Sequence, residues 1–214
     1  VGNRPGRTEN VPPRPDGRLL VAAPYGLGIR VFATDSGHLL QHIGVQGQGV
    51  CWFTFSPDGR YLAAADANKA ALVFDLETGA VVHRLEGHKR QLMSVTCSSD
   101  GTEIVTGSLD GTVKLWNAVT GQESATFHAH SNGVEKVLFA NDGRRLLSSG
   151  YDNVVRLWHK TTQTLLAEWS LSEFSPRSFV SARFARNGRS IAVGSWDGTL
   201  NLLDGYSLAP IQTW

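Results

Sequence analysis

The chain has 214 residues with a formal net charge of +1, and charged residues make up 18% of it, below the roughly 25% of an average soluble domain. This balance, without a long basic run, argues against nucleic acid and anionic membranes as partners. No apolar run reaches the ~18 residues that a membrane helix needs. The composition therefore predicts a soluble protein, and the cytoplasm is its predicted location because two cysteines make no disulfide framework.

Residues 1–15 differ in composition from the rest of the chain. They contain four of the eight prolines and show no periodic apolar pattern. Such a segment is typical of a linker or tail. The folded domain is therefore predicted to span residues 16–214.

Within residues 16–214 a turn signal recurs at nearly constant intervals of 42, 42, 42 and 45 residues. Its five copies are Asp16-Gly17, Asp58-Gly59, Asp100-Gly101, Asp142-Gly143 and Asn187-Gly188. Sixteen residues after each turn stands a large apolar side chain, namely Phe32, Phe74, Trp116, Trp158 and Leu203. Two independent markers with one period indicate a repeat, and the short β-branched runs between the turns predict hairpins of β strands.

The period predicts five repeats, at about residues 16–43, 50–85, 92–127, 134–169 and 179–214. Each of the last four has room for four strands. The first is predicted to lack its inner strand, because Pro12 and Pro13 stand where ladder hydrogen bonds are needed and proline cannot donate them. Cys97 occupies a strand position that is Phe55, Phe139 or Phe184 in other repeats and is predicted to fill the core.

Short motifs within the repeats are similar to those of a known family. They are Gly87-His88, Ser56-Pro57-Asp58-Gly59 and Leu115-Trp116-Asn117, and the chain resembles the WD-repeat family over about residues 14–214. The resemblance implies an all-β propeller with one partial and four complete four-stranded blades. Two hypotheses stay open, a piece of a larger ring and a five-bladed ring that closes in an unusual way.

The resemblance also implies a hydrogen-bonded tetrad of His, Ser or Thr, Asp and Trp within a blade. Two repeats match it completely, with His88, Thr106, Asp110, Trp116 and with His130, Ser148, Asp152, Trp158. A list of Ser, His and Asp also suggests a catalytic triad. Because the set occurs twice at one repeat position, the structural interpretation is favoured and no catalytic residue is predicted.

Two other sequence features suggest a phosphate site and a metal site. Gly44, Gly47 and Gly49 form a glycine-rich loop, but no helix follows to receive a phosphate. His128 and His130 would share one face of an extended segment, yet no third metal ligand accompanies them. No cofactor and no metal site are predicted.

A second turn, Asp110-Gly111 in the third repeat, joins the second and third strands of a blade. The residues just before this turn are the candidates for binding a partner. The resemblance places this turn on the face around the central channel, where large apolar side chains are typical of interfaces. Arg90 and Asn132, which begin the third and fourth inner strands, would add polar contacts on that face. The predicted partner-binding face comprises Tyr25, Leu109, Tyr151, Trp196, Arg90 and Asn132. Packing of the apolar side chains on neighbouring turns is the alternative.

The predicted function is a non-catalytic scaffold that binds a protein or peptide partner on this face. One alternative is a regulatory or sensor segment of a larger multidomain signalling protein, such as a kinase or a signalling ATPase. The other is a propeller hydrolase with a metal in the channel, which would need carboxylate, Asn or His side chains converging from several blades.

Overall fold

The computed structural model describes residues 14–23, 28–44, 50–66, 68–170, 180–195 and 198–214. Every regular element in these ranges is a β strand. The described residues include no helix that is long and apolar enough to cross a membrane. The all-β prediction is confirmed.

The described strands form five antiparallel sheets, called blades 1 to 5 in chain order. Blade 1 consists of β1 (Leu19–Ala22), β2 (Ile29–Ala33) and β3 (Leu39–Ile43). Blade 2 consists of β4 (Val50–Phe55), β5 (Tyr61–Asp66), β6 (Ala71–Asp75) and β7 (Val81–Leu85). Blade 3 consists of β8 (Leu92–Cys97), β9 (Glu103–Ser108), β10 (Thr112–Asn117) and β11 (Glu123–His128). Blade 4 consists of β12 (Val134–Phe139), β13 (Arg145–Gly150), β14 (Val154–His159) and β15 (Leu165–Ser170). Blade 5 consists of β16 (Val180–Phe184), β17 (Ser190–Ser195), β18 (Leu200–Asp204) and β19 (Pro210–Thr213).

This arrangement confirms the prediction of four complete four-stranded blades, and within the described residues blade 1 has three strands. Pro12 and Pro13, on which the prediction of a missing inner strand depends, lie outside the described residues. Strands pair in chain order within each blade, so the first strand forms one edge and the last strand the other. The first strands of successive blades lie side by side, since β8 contacts both β4 and β12. Ser94 on β8 accepts a hydrogen bond from Val137 N on β12 at 3.2 Å. We therefore call β4, β8, β12 and β16 the inner strands.

The recurring Asp-Gly turn has one geometry in all five blades. The glycine adopts a positive φ of 65° to 73°, which favours glycine over any residue with a Cβ. The preceding Asp or Asn side chain accepts a hydrogen bond from the backbone N–H two residues later, at 3.0 Å in the Asp58 turn and 3.0 Å in the Asn187 turn. Because a side-chain oxygen is all that this bond requires, Asn187 replaces Asp without changing the turn.

The hydrophobic core is divided among the four seams between consecutive blades. The strand period of two sends alternate side chains to opposite faces, so Leu146 packs towards blade 3 whereas Leu147 packs towards blade 5. Buried clusters occupy the seams between blades 1 and 2, 2 and 3, 3 and 4, and 4 and 5. Among the described residues no cluster joins blade 5 to blade 1. Cys97 packs against the cluster between blades 2 and 3, where burial raises the pKa of its thiol to about 12.

Candidate protein-binding face

A buried hydrogen-bond chain crosses blade 3 from its first loop to its third strand. Trp116 Nε1 donates to Thr106 Oγ1 at 2.9 Å, and that hydroxyl lies 2.8 Å from His88 Nε2. The other ring nitrogen of His88 lies 3.2 Å from the Asp110 carboxylate. The structure thus brings together all four residues of the first predicted tetrad.

The charge states of His88 and Asp110 in this hydrogen-bond chain follow from burial and hydrogen bonding. Burial lowers the pKa of His88 below 6.5, and the nearby Asp110 only partly opposes that effect. Burial alone would raise the pKa of Asp110, but hydrogen bonds from Thr112 and from the Lys89 N–H lower it to about 2. The imidazole is therefore neutral and the carboxylate ionised at neutral pH.

Blade 4 repeats the same chain with Ser148 in place of threonine. Trp158 Nε1 donates to Ser148 Oγ at 2.9 Å, and Ser148 Oγ lies 2.9 Å from His130 Nε2. His130 Nδ1 lies 2.7 Å from Asp152, which also accepts from Arg156 at 2.9 Å. Burial would raise the pKa of Asp152, but His130 and Arg156 hold it well below its usual range. The second predicted tetrad is also brought together.

Both tetrad hydroxyls are inaccessible to a substrate. Thr106 and Ser148 are 0% exposed, and each accepts an indole N–H. His130 is engaged by Ser148 and Asp152, whereas His128 lies exposed at the end of β11. In the described ranges no three His, Cys, Asp or Glu side chains are grouped as a metal site would require. Each of these two sets connects a loop, a turn and a strand by hydrogen bonds, and we call them the polar struts.

In blade 2 apolar side chains occupy the tetrad positions of the second and third strands, where they pack and make no polar contact. Ala64 is 0% exposed and Phe74 is 1% exposed, and both belong to the cluster between blades 1 and 2. In blade 5 the corresponding Val193 and Leu203 are buried in the cluster with blade 4. Of the other tetrad positions of these blades, Asn68 lies exposed in the turn between β5 and β6, whereas Gln46, Ser175 and Asp197 lie outside the described residues.

We expect Gly150→Ala to lower the free energy of unfolding by about 2 kcal/mol, the usual size of overpacking in a dense interior. A Cβ at Gly150 would overlap the His130 ring and lie 2.6 Å from Gly133 O. Urea unfolding measures the change. Gly194→Ala is the matched control, because nothing lies within 4 Å of a Cβ at this strand position of blade 5. Equal losses in the two variants would contradict the crowding of His130.

In blade 3 the predicted face is formed by Arg90 and Leu109. Arg90 Nη1 donates to Leu109 O at 3.0 Å, and Leu109 N donates to Gln91 O at 2.9 Å. Arg90 is exposed and Leu109 is half-buried. Gly133 of blade 4 lies against Leu109, since a Cβ at Gly133 would be 3.2 Å from Leu109 Cα. The surface therefore continues across the seam into blade 4.

In blade 4 Asn132 and Tyr151 occupy the corresponding places. Asn132 Nδ2 donates to Tyr151 O at 3.2 Å, and Tyr151 N donates to Gly133 O at 3.0 Å. Asn132 is exposed, whereas Tyr151 is half-buried against the cluster between blades 4 and 5. The Tyr151 side chain thus supports the seam, as the packing alternative predicts, and the residue is only partly buried.

Four of the six predicted face residues form one continuous surface, and we call Arg90, Leu109, Asn132 and Tyr151 the upper face. Arg90 and Asn132 lie in the loops two residues before β8 and β12 and not in the strands themselves. Tyr25 and Trp196 lie outside the described residues. For those two positions the face remains a sequence-based prediction.

A cleft at the opposite ends of the strands was not predicted from the sequence. It lies between blades 2 and 3, has a volume of about 380 Å³, and is lined by Tyr61, Val82, His83, Cys97 and Val119 among others. Val119 is 78% exposed at its rim. The only sequence signal was an apolar residue in the turn after β10, which the repeat pattern alone does not distinguish from other turn residues.

The family comparison agrees with the repeat seen in the structure. The family model described as WD domain, G-beta repeat, matches residues 34–75, 79–117, 121–159 and 169–204. The first three matches each contain the last strand of one blade and the first three strands of the next. No curated protein shows a significant match to the chain.

Proposed function

Because the chain belongs to the WD-repeat family, whose domains typically bind protein partners, we propose that it is a non-catalytic scaffold that binds a protein or peptide on the upper face. The continuity of Arg90, Leu109, Asn132 and Tyr151 across the seam of blades 3 and 4 carries this proposal. An exposed guanidinium and an exposed amide lie beside the partly exposed side chains of Leu109 and Tyr151, and polar groups next to large side chains are typical of interfaces.

The buried state of the tetrad hydroxyls supports the non-catalytic part of the proposal. Neither Thr106 nor Ser148 is reachable by a substrate, so a hydrolytic reaction would need another nucleophile. The described residues also contain no grouped metal ligands for a metal-dependent hydrolase. We place the protein in the cytoplasm, as its composition suggests.

The test is affinity capture of proteins from the source lysate with the immobilised chain. We expect Arg90→Ala and Tyr151→Ala each to reduce the retained partner about tenfold or more, since interface hot spots cost roughly 2 kcal/mol. Melting temperatures establish that both variants are folded. Tyr151→Ala is expected to be the less stable variant because its ring supports the seam of blades 4 and 5.

Val119→Ala is the matched control for this capture. Val119 is 78% exposed in the turn after β10, at the other end of the strands. A partner that is retained by Val119→Ala and lost by Arg90→Ala supports binding at the upper face. Loss with Val119→Ala alone would assign binding to the opposite side, and identical capture by every variant would refute the proposal.

A further inference from the structure

The inner strands bring two cationic side chains to one aromatic ring. Lys136 Nζ on β12 lies 3.9 Å from the ring centroid of Trp52 on β4. Arg183 Cζ on β16 lies 5.9 Å from the same centroid. Blade 3 lies between the blades of Trp52 and Lys136, because β8 contacts both β4 and β12, so this contact joins two blades that are not neighbours. We call these three residues the central cluster.

Lys136 is buried without a counter-ion of its own. It is 8% exposed, and its ammonium carries three donors, of which a ring face satisfies at most one. Burial and the charge of Arg183 lower the pKa of Lys136 to about 8. The charge of Glu135 raises this pKa, but its effect is the smallest of the three. In the described ranges no oxygen accepts a hydrogen bond from Lys136 Nζ, so the charge is poorly compensated.

A second buried donor lies next to Lys136. Ser149 stands opposite Lys136 in the pairing of β12 with β13, and opposite residues of antiparallel strands project from the same face of the sheet. Ser149 is 1% exposed, and its hydroxyl has no hydrogen-bond partner. Buried polar groups are ordinarily satisfied, so the unpaired Ser149 hydroxyl beside a poorly compensated ammonium indicates an acceptor that the described residues do not supply.

The remaining charges of the inner strands also favour an anion. Glu135 is the only acidic residue within β4, β8, β12 and β16, which carry Lys136 and Arg183 as cations. Arg183 as a whole is exposed, although the protein packed around its guanidinium lowers the pKa of that group. A solute can therefore reach the cluster on the side of Arg183.

From these contacts we propose that the central cluster binds an oxyanion, a carboxylate or phosphate group held by the Lys136 ammonium and the Arg183 guanidinium beside the Trp52 ring. An oxyanion accepts several charge-assisted hydrogen bonds at once and compensates both cations. The alternative is a purely structural role, in which the two cations only pack on the ring. The proposal does not depend on partner binding at the upper face.

Titration calorimetry of the full chain tests the proposal with two probes at constant ionic strength. Inorganic phosphate represents a free oxyanion, and acetyl-glutamate amide represents a carboxylate carried by a partner, with acetyl-glutamine amide as its neutral control. We expect saturable binding of at least one probe and a higher melting temperature in its presence than in chloride. Phosphate alone would assign the site to a free ligand, and the glutamate compound alone to a partner's side chain.

Three variants locate the binding. Lys136→Met and Arg183→Gln are each expected to weaken the probe about tenfold, because each removes one charged donor. Lys89→Met removes the same charge from an exposed loop position and is expected to leave affinity unchanged. Absence of binding by both probes, or equal weakening in Lys89→Met, would overturn the proposal in favour of structural packing. The readout requires no partner protein, so its failure leaves the scaffold proposal intact.

Discussion

Replacing Asp152 by alanine is expected to lower the free energy of unfolding by about 3 kcal/mol or more, the usual cost of removing one member of a buried charged pair. The carboxylate is 10% exposed and lies 2.7 Å from His130 Nδ1 and 2.9 Å from Arg156 Nη1. Its removal leaves a buried imidazole without an acceptor and the guanidinium without its nearest anion. Urea unfolding at pH 7 measures the loss.

The pH dependence of stability provides an independent check on Asp152. The pKa of this carboxyl is lower in the folded chain than in the unfolded chain, so the unfolded state binds more protons in the acid range. Its contribution is present above the unfolded pKa and is lost as the pH falls towards the folded pKa. The difference in stability between wild type and Asp152→Ala should therefore shrink below about pH 4.

Asp35→Ala is the matched control, because Asp35 lies exposed in the turn between β2 and β3. We expect little change in its unfolding free energy. If Asp152→Ala were no less stable than Asp35→Ala, the hydrogen-bond chain of blade 4 would have no structural importance.

Thr106→Val is expected to lower the free energy of unfolding by about 3 kcal/mol, since each buried polar group left unsatisfied costs roughly 1–3 kcal/mol. Valine has nearly the same shape as threonine but lacks the hydroxyl. That hydroxyl is the acceptor for Trp116 Nε1 at 2.9 Å and lies 2.8 Å from His88 Nε2. Both ring nitrogens would lose their partner in a fully buried space. Chemical denaturation with tryptophan fluorescence measures the change.

Thr106→Ser separates hydrogen bonding from packing. Blade 4 carries Ser148 at this repeat position, with 2.9 Å to Trp158 Nε1 and 2.9 Å to His130 Nε2. Serine should therefore retain the hydrogen bonds of the blade 3 tetrad. The variant loses only the packing of one methyl group, which should lower the free energy of unfolding by about 1 kcal/mol. A loss as large as that of Thr106→Val would show that the methyl group and not the hydroxyl stabilises blade 3.

The two tetrads also connect stability to the proposed function. Asp110 accepts from the N–H of Lys89 at 2.7 Å, which fixes the loop beside Arg90 against the turn that follows Leu109. Asp152 does the same for Ser131, beside Asn132, at 3.3 Å. The struts thus hold the backbone of the upper face in place. Variants of Asp110 or Asp152 that remain folded should bind the partner more weakly.

Much of the fold was predictable because its signals are local and periodic. An Asp-Gly turn depends on neighbouring residues, and its regular spacing predicted the five blades. The missing inner strand of blade 1 was predicted from Pro12 and Pro13, which lie outside the described residues. The tetrads were implied by the resemblance to the WD-repeat family, whose motif residues stand at matching positions in two repeats. Residues 46, 175 and 197, at tetrad positions of the irregular blades, lie outside the described ranges.

The sequence by itself determined the repeat and its turns, and its resemblance to the WD-repeat family identified the members of each polar strut, since every one of these depends on contacts within one blade or its adjoining loop. Only the tertiary structure showed that Lys136 and Arg183 meet Trp52. It also showed that Tyr151 is partly used by the seam of blades 4 and 5. Such contacts depend on the distance and angle between whole blades. The repeat period carries no information about them, because it is the same for any arrangement of the blades around the centre.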